Sequence, residues 1–211
     1  MSAAPDLGFV AGRLAVVGKP AGLGAPTDKE IVMPRIPPIT GKSDRPAESH
    51  AVVDQMLKVF GNVRGPFSML LHSPKLAERV LPLVSFFRDD SVVDARLRSV
   101  AILAAVRERE AAYVWAAQVG AARRNGLSDE IIDVLRAKGD AGKLPAEERD
   151  IVNYVRQLLR TNRVDQATFD AVRKRHDEKW MVELTAAANY FALLSGVVNA
   201  FDVAAPPDGD K

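Results

Sequence analysis

From residue 47 onward the apolar positions recur at helical spacing, and nowhere do they alternate over the length of a strand. Valine and isoleucine follow the same rhythm, so the pattern predicts an all-α chain. A first helix is expected from about Ala47 to Phe60, followed by a turn over Gly61 to Gly65. Ser73 before Pro74 supplies an N-cap and a first-turn proline, opening a helix to about Phe87. Ser91-Val92-Val93-Asp94 reads as a capping-box variant, with Val93, Leu97, Val100 and Ala104 forming one buried face of the helix that follows.

After Arg107 to Glu110, read as a solvated helix end, the next helix carries Ala111, Ala112, Ala116, Ala117, Gly120, Ala121 and Ala122. Side chains this small let a neighbouring helix approach closely, which places this element in the core. Gly126 stops it, and Ser128-Asp129-Glu130 opens a short helix ending near Gly139. Pro145 at a first helical position begins a helix to about Leu159, and Asp165 caps another reaching Arg175. The last helix, from about Asp177 to Phe201, is apolar over most of its circumference and needs cover from the domain and from another subunit.

Residues 1–46 are different in kind. Seven prolines and several glycines there exclude helix and central strand, so an extended or loosely packed arm is expected. The domain organisation read from the chain is therefore an arm over 1–46, a helical domain over 47–203 and a tail over 204–211.

Composition narrows the function classes. The 29 basic and 27 acidic residues are interspersed and leave a formal charge of +2, so no electrostatic stripe suggests nucleic acid as a partner. The absence of cysteine removes disulfides, thiolate metal sites and thiol nucleophiles. Residues 7–25 are interrupted by Gly and Pro and lack a basic leader, so no signal peptide is read. No stretch reads as a membrane span, and a cytoplasmic protein is expected. The three histidines are widely separated and show no metal-ligand spacing, so neither a metal nor another cofactor is expected.

Three segments carry a family resemblance: Arg96-Leu97-Arg98-Ser99-Val100-Ala101-Ile102-Leu103, then Tyr113-Val114-Trp115-Ala116-Ala117-Gln118-Val119-Gly120-Ala121-Ala122, then Asn125-Gly126-Leu127-Ser128-Asp129-Glu130-Ile131-Ile132. Together with Met33-Pro34-Arg35-Ile36-Pro37-Pro38, Leu71-His72-Ser73-Pro74 and Val182-Glu183-Leu184-Thr185 leading to Asn199-Ala200-Phe201, their order resembles the carboxymuconolactone decarboxylase family of the alkylhydroperoxidase D-like superfamily. The resemblance spans roughly residues 33–203. It implies an all-helical fold with a pocket at the central helix pair, a small-molecule substrate and a homo-oligomer, a trimer or hexamer.

In the thiol-dependent branch the resemblance implies a Glu on the first helix of that pair, and a Cys-x-x-Cys followed by a His on the second. Those places fall at Ser99, Ala111, Val114 and Gln118, none of which titrates near neutral pH. Residues 111, 114 and 118 are spaced to share one helix face and converge on one substrate. A chain without cysteine cannot reduce peroxides by the thiol route. The decarboxylase branch implies a His at Gln118 and commonly a Glu at Val114, in a context that Tyr113 and Trp115 match. Gln118 can only donate or accept a hydrogen bond, so the usual acid–base chemistry is altered as well.

Other residues could contribute chemistry. His72 could line the pocket mouth as an acid or base, although capping or surface packing is the plainer role. His50 and His176 lie in polar surroundings and read as solvated. Glu183 is either a buried acid or, more simply, the ion-pair partner of Arg96 or Arg98. Tyr113, Trp115 and Tyr190 could line an apolar pocket or simply fill the core. Two functions follow. One is an enzyme acting on a small organic acid, lactone or related cyclic substrate, with Gln118 orienting a carbonyl or carboxylate and Tyr113 or His72 supplying a proton. The other is a non-catalytic oligomeric binding or scaffold protein of the same fold.

Overall fold

The computed structural model describes residues 33–206 and Gly209. The expected arm over 1–46 therefore falls largely outside the described residues, as does part of the tail. The described part of the arm is extended but held down. Arg35 N–H donates to Phe201 O at 2.9 Å, and its guanidinium pairs with Asp202 at 2.6 Å. Ile39 is buried, with its N–H on Ser68 O at 3.1 Å.

Ten α-helices follow: α1 (His50–Phe60), α2 (Pro66–Leu70), α3 (Pro74–Val80), α4 (Pro82–Ser85), α5 (Ala95–Glu108), α6 (Ala112–Arg124), α7 (Asp129–Arg136), α8 (Ala146–Thr161), α9 (Gln166–Arg173) and α10 (Glu178–Ala200). No strand occurs among the described residues. Helix boundaries follow the local chemistry. Asp165 and Asp177 accept hydrogen bonds from Thr168 N–H and Trp180 N–H at 2.8 Å, capping α9 and α10. Gly126, at φ +85°, turns the chain after α6.

Four local readings change. The helix expected from Ser73 to Phe87 is interrupted at Pro82, which lacks an N–H, and its end widens into a π-helical turn, Phe86–Asp90, closed by Ser91 N–H on Phe86 O at 3.0 Å. The cap of α5 is Asp94 rather than Ser91; its carboxylate accepts from Arg96 N–H at 2.9 Å and Leu97 N–H at 3.2 Å. Residues 47–49 form a 3₁₀ turn, and Pro145 is the residue before α8 rather than its first. The short helix α2 was not legible, because it lasts barely more than one turn.

The core centres on α5, which packs against α6, α8 and α10. Every residue from Leu97 to Val106 is buried, so the single apolar face read from the sequence was too narrow: helices cover α5 on several sides. Its C-terminal end is solvated only in part: Arg109 and Glu110 are exposed as expected, whereas Glu108 is not. The Glu108 carboxylate is almost wholly enclosed, accepts from Arg160 Nε and Nη2 at 2.7 Å each and lies 3.4 Å from Arg156, because α8 brings both arginines alongside. The small residues of α6 also face differently. Tyr113, Val114, Trp115, Val119 and Ala122 are buried, whereas Ala112 and Ala117 are exposed.

By length and composition α10 could cross a bilayer, although no stretch of the sequence was expected to do so. Here it is a core helix, with Leu184, Ala187, Ala188 and Ser195 fully enclosed. Beyond the charged first turn of Glu178 and Lys179, its exposed residues include Val182, Ala186, Asn189, Leu193, Gly196 and Ala200, which recur at alternating four- and three-residue steps and form one uncharged stripe.

Candidate functional site

A cavity of about 220 Å³ opens between the turn after α1 and helices α2, α4, α6 and α10. Phe60, Pro66, Phe67, Val84, Val114, Ala117, Phe191 and Leu194 give it apolar walls; Asn62, Arg64, Tyr113 and Gln118 are its polar members. Among the described residues no carboxylate lines it.

The 61–65 turn sets the geometry. Gly61, at φ +73°, ends α1 with its N–H on Leu57 O at 2.8 Å, and Gly65, at φ +61°, leads into Pro66 at the start of α2. The Tyr113 ring lies flush against Gly65, so that a Cβ there would stand 2.2 Å from Tyr113 Cε1. Only glycine permits this approach. Gln118, one turn after Val114 on α6, is half-buried, and its carboxamide has no hydrogen-bond partner among the described residues. Arg64 is exposed at the cavity and makes no hydrogen bond or ion pair among the described residues.

The structure brings together only some of the residues read from the sequence. Gln118, Tyr113 and Val114 line the cavity. Ala111 and Trp115 line a different one, also of about 220 Å³, with Val106, Arg107, Ala112, Arg136 and Ala205. There the Arg136 guanidinium lies 5.7 Å from the Trp115 ring centroid. Positions 111, 114 and 118 therefore do not converge on one substrate, because Ala111 precedes the first residue of α6 and has non-helical backbone angles.

Ser99 is engaged locally, donating to Ala95 O at 2.8 Å and accepting from Asn125 Nδ2 at 3.0 Å. His72 is exposed and does not line the cavity; its Nε2 is 2.9 Å from Pro37 O, fastening the 33–46 segment. Glu183 is buried but pairs with neither Arg96 nor Arg98. Its Oε2 accepts from Val92 N–H at 2.8 Å and its Oε1 lies 4.0 Å from Lys179 Nζ. Arg96 goes instead to Glu148, and Arg98 donates to Val93 O at 2.6 Å.

Tyr190 sits outside the cavity lining, donating to Val80 O at 3.1 Å, and its burial pushes the phenol above its ordinary pKa. His50 and His176 are half-buried rather than solvated. His50 Nε2 lies 3.1 Å from Lys42 O and from Arg45 O, and the His176 ring stacks on Trp180 at 3.5 Å between centroids. Among the described residues no three His, Asp or Glu side chains gather as a metal site would require.

Arg64, Asn62 and the aromatic walls were not singled out from the sequence. The available signal was a five-residue turn bracketed by Gly61 and Gly65 and followed by Pro66, a rigid frame for the side chains between.

No protein family matches the chain by sequence, and no curated protein does. Solved structures do match. An uncharacterized peroxidase-related protein with an alkylhydroperoxidase AhpD core from Ralstonia eutropha superposes with a TM-score of 0.68 at 15% identity, over 83% of this chain and 93% of that one. The debrominase Bmp8 superposes at 0.65 with 16% identity, over 81% and 92%. A protein of unknown function from Agrobacterium tumefaciens, described as a putative antioxidant defence protein AhpD, superposes at 0.60 with 17% identity, over 68% and 99%. The chain thus has the all-α, alkylhydroperoxidase D-like fold.

Proposed function

We propose that this chain acts on a small organic acid, lactone or related cyclic substrate in the cavity beside Gln118 and Tyr113, without thiol chemistry, as a divergent relative of the carboxymuconolactone decarboxylases. The observation that carries this reading is the open cavity itself: apolar walls with a few polar side chains among them, Asn62, Arg64, Tyr113 and Gln118, the last a carboxamide unpartnered among the described residues. A debrominase of the same fold has been solved with 2,3,4-tribromopyrrole bound, which supports a small planar ring as the kind of molecule such a frame accepts.

In the decarboxylation this implies, the bond between ring carbon and carboxylate breaks and carbon dioxide leaves. The electron pair stays on the ring as an enolate. The Gln118 NH₂ group donates to the developing enolate oxygen, and the Tyr113 hydroxyl delivers a proton to the carbon, recovering it from water afterwards. His72 has no part in this, being held on Pro37 away from the cavity.

The test is carbon dioxide release from a panel of cyclic lactone acids and keto acids. With an active substrate in hand, Gln118→Ala should lower kcat/KM by about 10²-fold, the usual loss of one such donor. Tyr113→Phe, which keeps the ring against Gly65, should lower kcat with little change in KM. Unchanged turnover in Gln118→Ala would refute the assignment.

A second reading, a non-catalytic oligomeric binding protein, is favoured by the α10 stripe of Val182, Ala186, Asn189, Leu193, Gly196 and Ala200, whose pattern suits pairing with another copy. A ligand that binds the cavity and is recovered unchanged across the whole panel would favour it.

A further inference from the structure

We infer that Arg64 is the specificity-determining residue of the cavity, selecting single-ring substrates that carry a carboxylate. The inference rests on the reading of the cavity as the small-molecule site and says which molecules it takes.

Three observations on the page lead there. The first is charge: Arg64 is the one charged side chain in the lining, no Asp or Glu faces it across the cavity, and it forms no ion pair among the described residues. Many arginines elsewhere are engaged, including Arg35 with Asp202, Arg96 with Glu148, Arg160 with Glu108 and Arg175 with Asp150, and those that are not, such as Arg79 and Arg163, stand outside the cavity lining. A guanidinium always carries its charge and presents a planar fork matched to a carboxylate, so an anion at this mouth would find a partner and no repulsion.

The second is placement. Arg64 stands in the turn fixed at both ends by left-handed glycines and by Pro66, and Gly65 beside it touches the Tyr113 ring. The backbone that carries the cation is therefore registered against the proposed proton donor. A carboxylate held by Arg64 would leave the rest of its ring within the apolar part of the cavity, against Phe67, Phe191 and Leu194.

The third is size. An apolar protein cavity of about 150 Å³ holds benzene, so about 220 Å³ accommodates one six-membered ring with a carboxylate or a comparably small substituent. Phe60 and Phe67, 5.1 Å apart between centroids, offer aromatic faces to such a ring.

The experiment measures binding of benzoate and of neutral methyl benzoate to the full chain by calorimetry, with methyl NMR signals of Val114 and Leu194 reporting where each binds. Benzoate should bind at least about 10-fold more tightly than the ester and weaken as salt is raised. Arg64→Gln should abolish that preference while leaving ester affinity and the circular dichroism spectrum unchanged; Arg64→Lys should restore only part of it. Equal binding of the two probes, or a preference that survives Arg64→Gln, would overturn this inference and leave the cavity reading standing. If neither probe perturbs Val114 or Leu194, the cavity reading falls and takes this inference with it.

Discussion

Replacing Gly65 tests whether the turn and the Tyr113 ring form one rigid unit. At φ +61° and ψ −138° the residue occupies a region that costs a residue with a Cβ about 1–3 kcal/mol. The added methyl would also sit 2.2, 2.6 and 2.9 Å from Tyr113 Cε1, Cζ and Oη. Ordinary carbon contacts are about 3.5–4.0 Å, so the ring would have to withdraw by about 1 Å, an overpacking cost typically of about 1–3 kcal/mol. Gly65→Ala should therefore lose about 2–6 kcal/mol in urea denaturation. At about 2–4 °C per kcal/mol for a chain of this size, Tm should fall by roughly 4–24 °C. The two contributions separate in a double-mutant cycle with Tyr113→Ala. Removing the ring relieves the clash but not the backbone cost, so the double variant should be less destabilised than the sum of the single ones by about 1–3 kcal/mol. A Gly65→Ala variant within about 0.5 kcal/mol of the parent, or additivity to the same tolerance, would refute the packing argument.

Two further outcomes are expected. The α10 stripe should mediate self-association, so Leu193→Glu, at a position 48% exposed in the single chain, should lower the mass measured by light scattering; a parent that is already monomeric, or a variant of unchanged mass, would contradict this. Partial burial lowers the His176 pKa, outweighing the opposing pull of Glu147, so the folded imidazole stays neutral at a pH where the unfolded one, with an ordinary value of about 6.5, takes up a proton. Stability should thus fall as pH drops from about 6.5 through the lower folded value, and His176→Phe, which can keep the stack on Trp180, should flatten that slope; an NMR titration placing the folded pKa at or above about 6.5 would exclude the effect.

Long helices with unambiguous ends were legible in the chain. Asp165, Asp177 and Gly126 each end or begin a helix where their chemistry requires, and the apolar run after Asp177 is the core helix α10. What failed were the features set by neighbours. Glu108 reads as a solvated charge until α8 supplies Arg156 and Arg160, and Glu183 reads as the partner of an arginine until a backbone N–H 91 residues away claims it. Arg64 was passed over because nothing local distinguishes a cation in a turn; its significance lies in the absence of a carboxylate on the cavity walls, which only the assembled fold can display.

The division of positions 111, 114 and 118 between two cavities has a simpler cause. Spacing of three and four residues places side chains on one face only where the backbone is helical throughout. Val114 and Gln118 lie within α6 and share the cavity, whereas Ala111, at φ −87° and ψ 86°, is the residue before the helix and lines the cavity beside Trp115. A cluster read from spacing alone thus becomes two half-sites. The half that keeps a hydrogen-bonding side chain, Gln118, is the one that also has Tyr113 and Arg64 in its lining, and for that reason the proposed small-molecule site is placed there rather than at position 111.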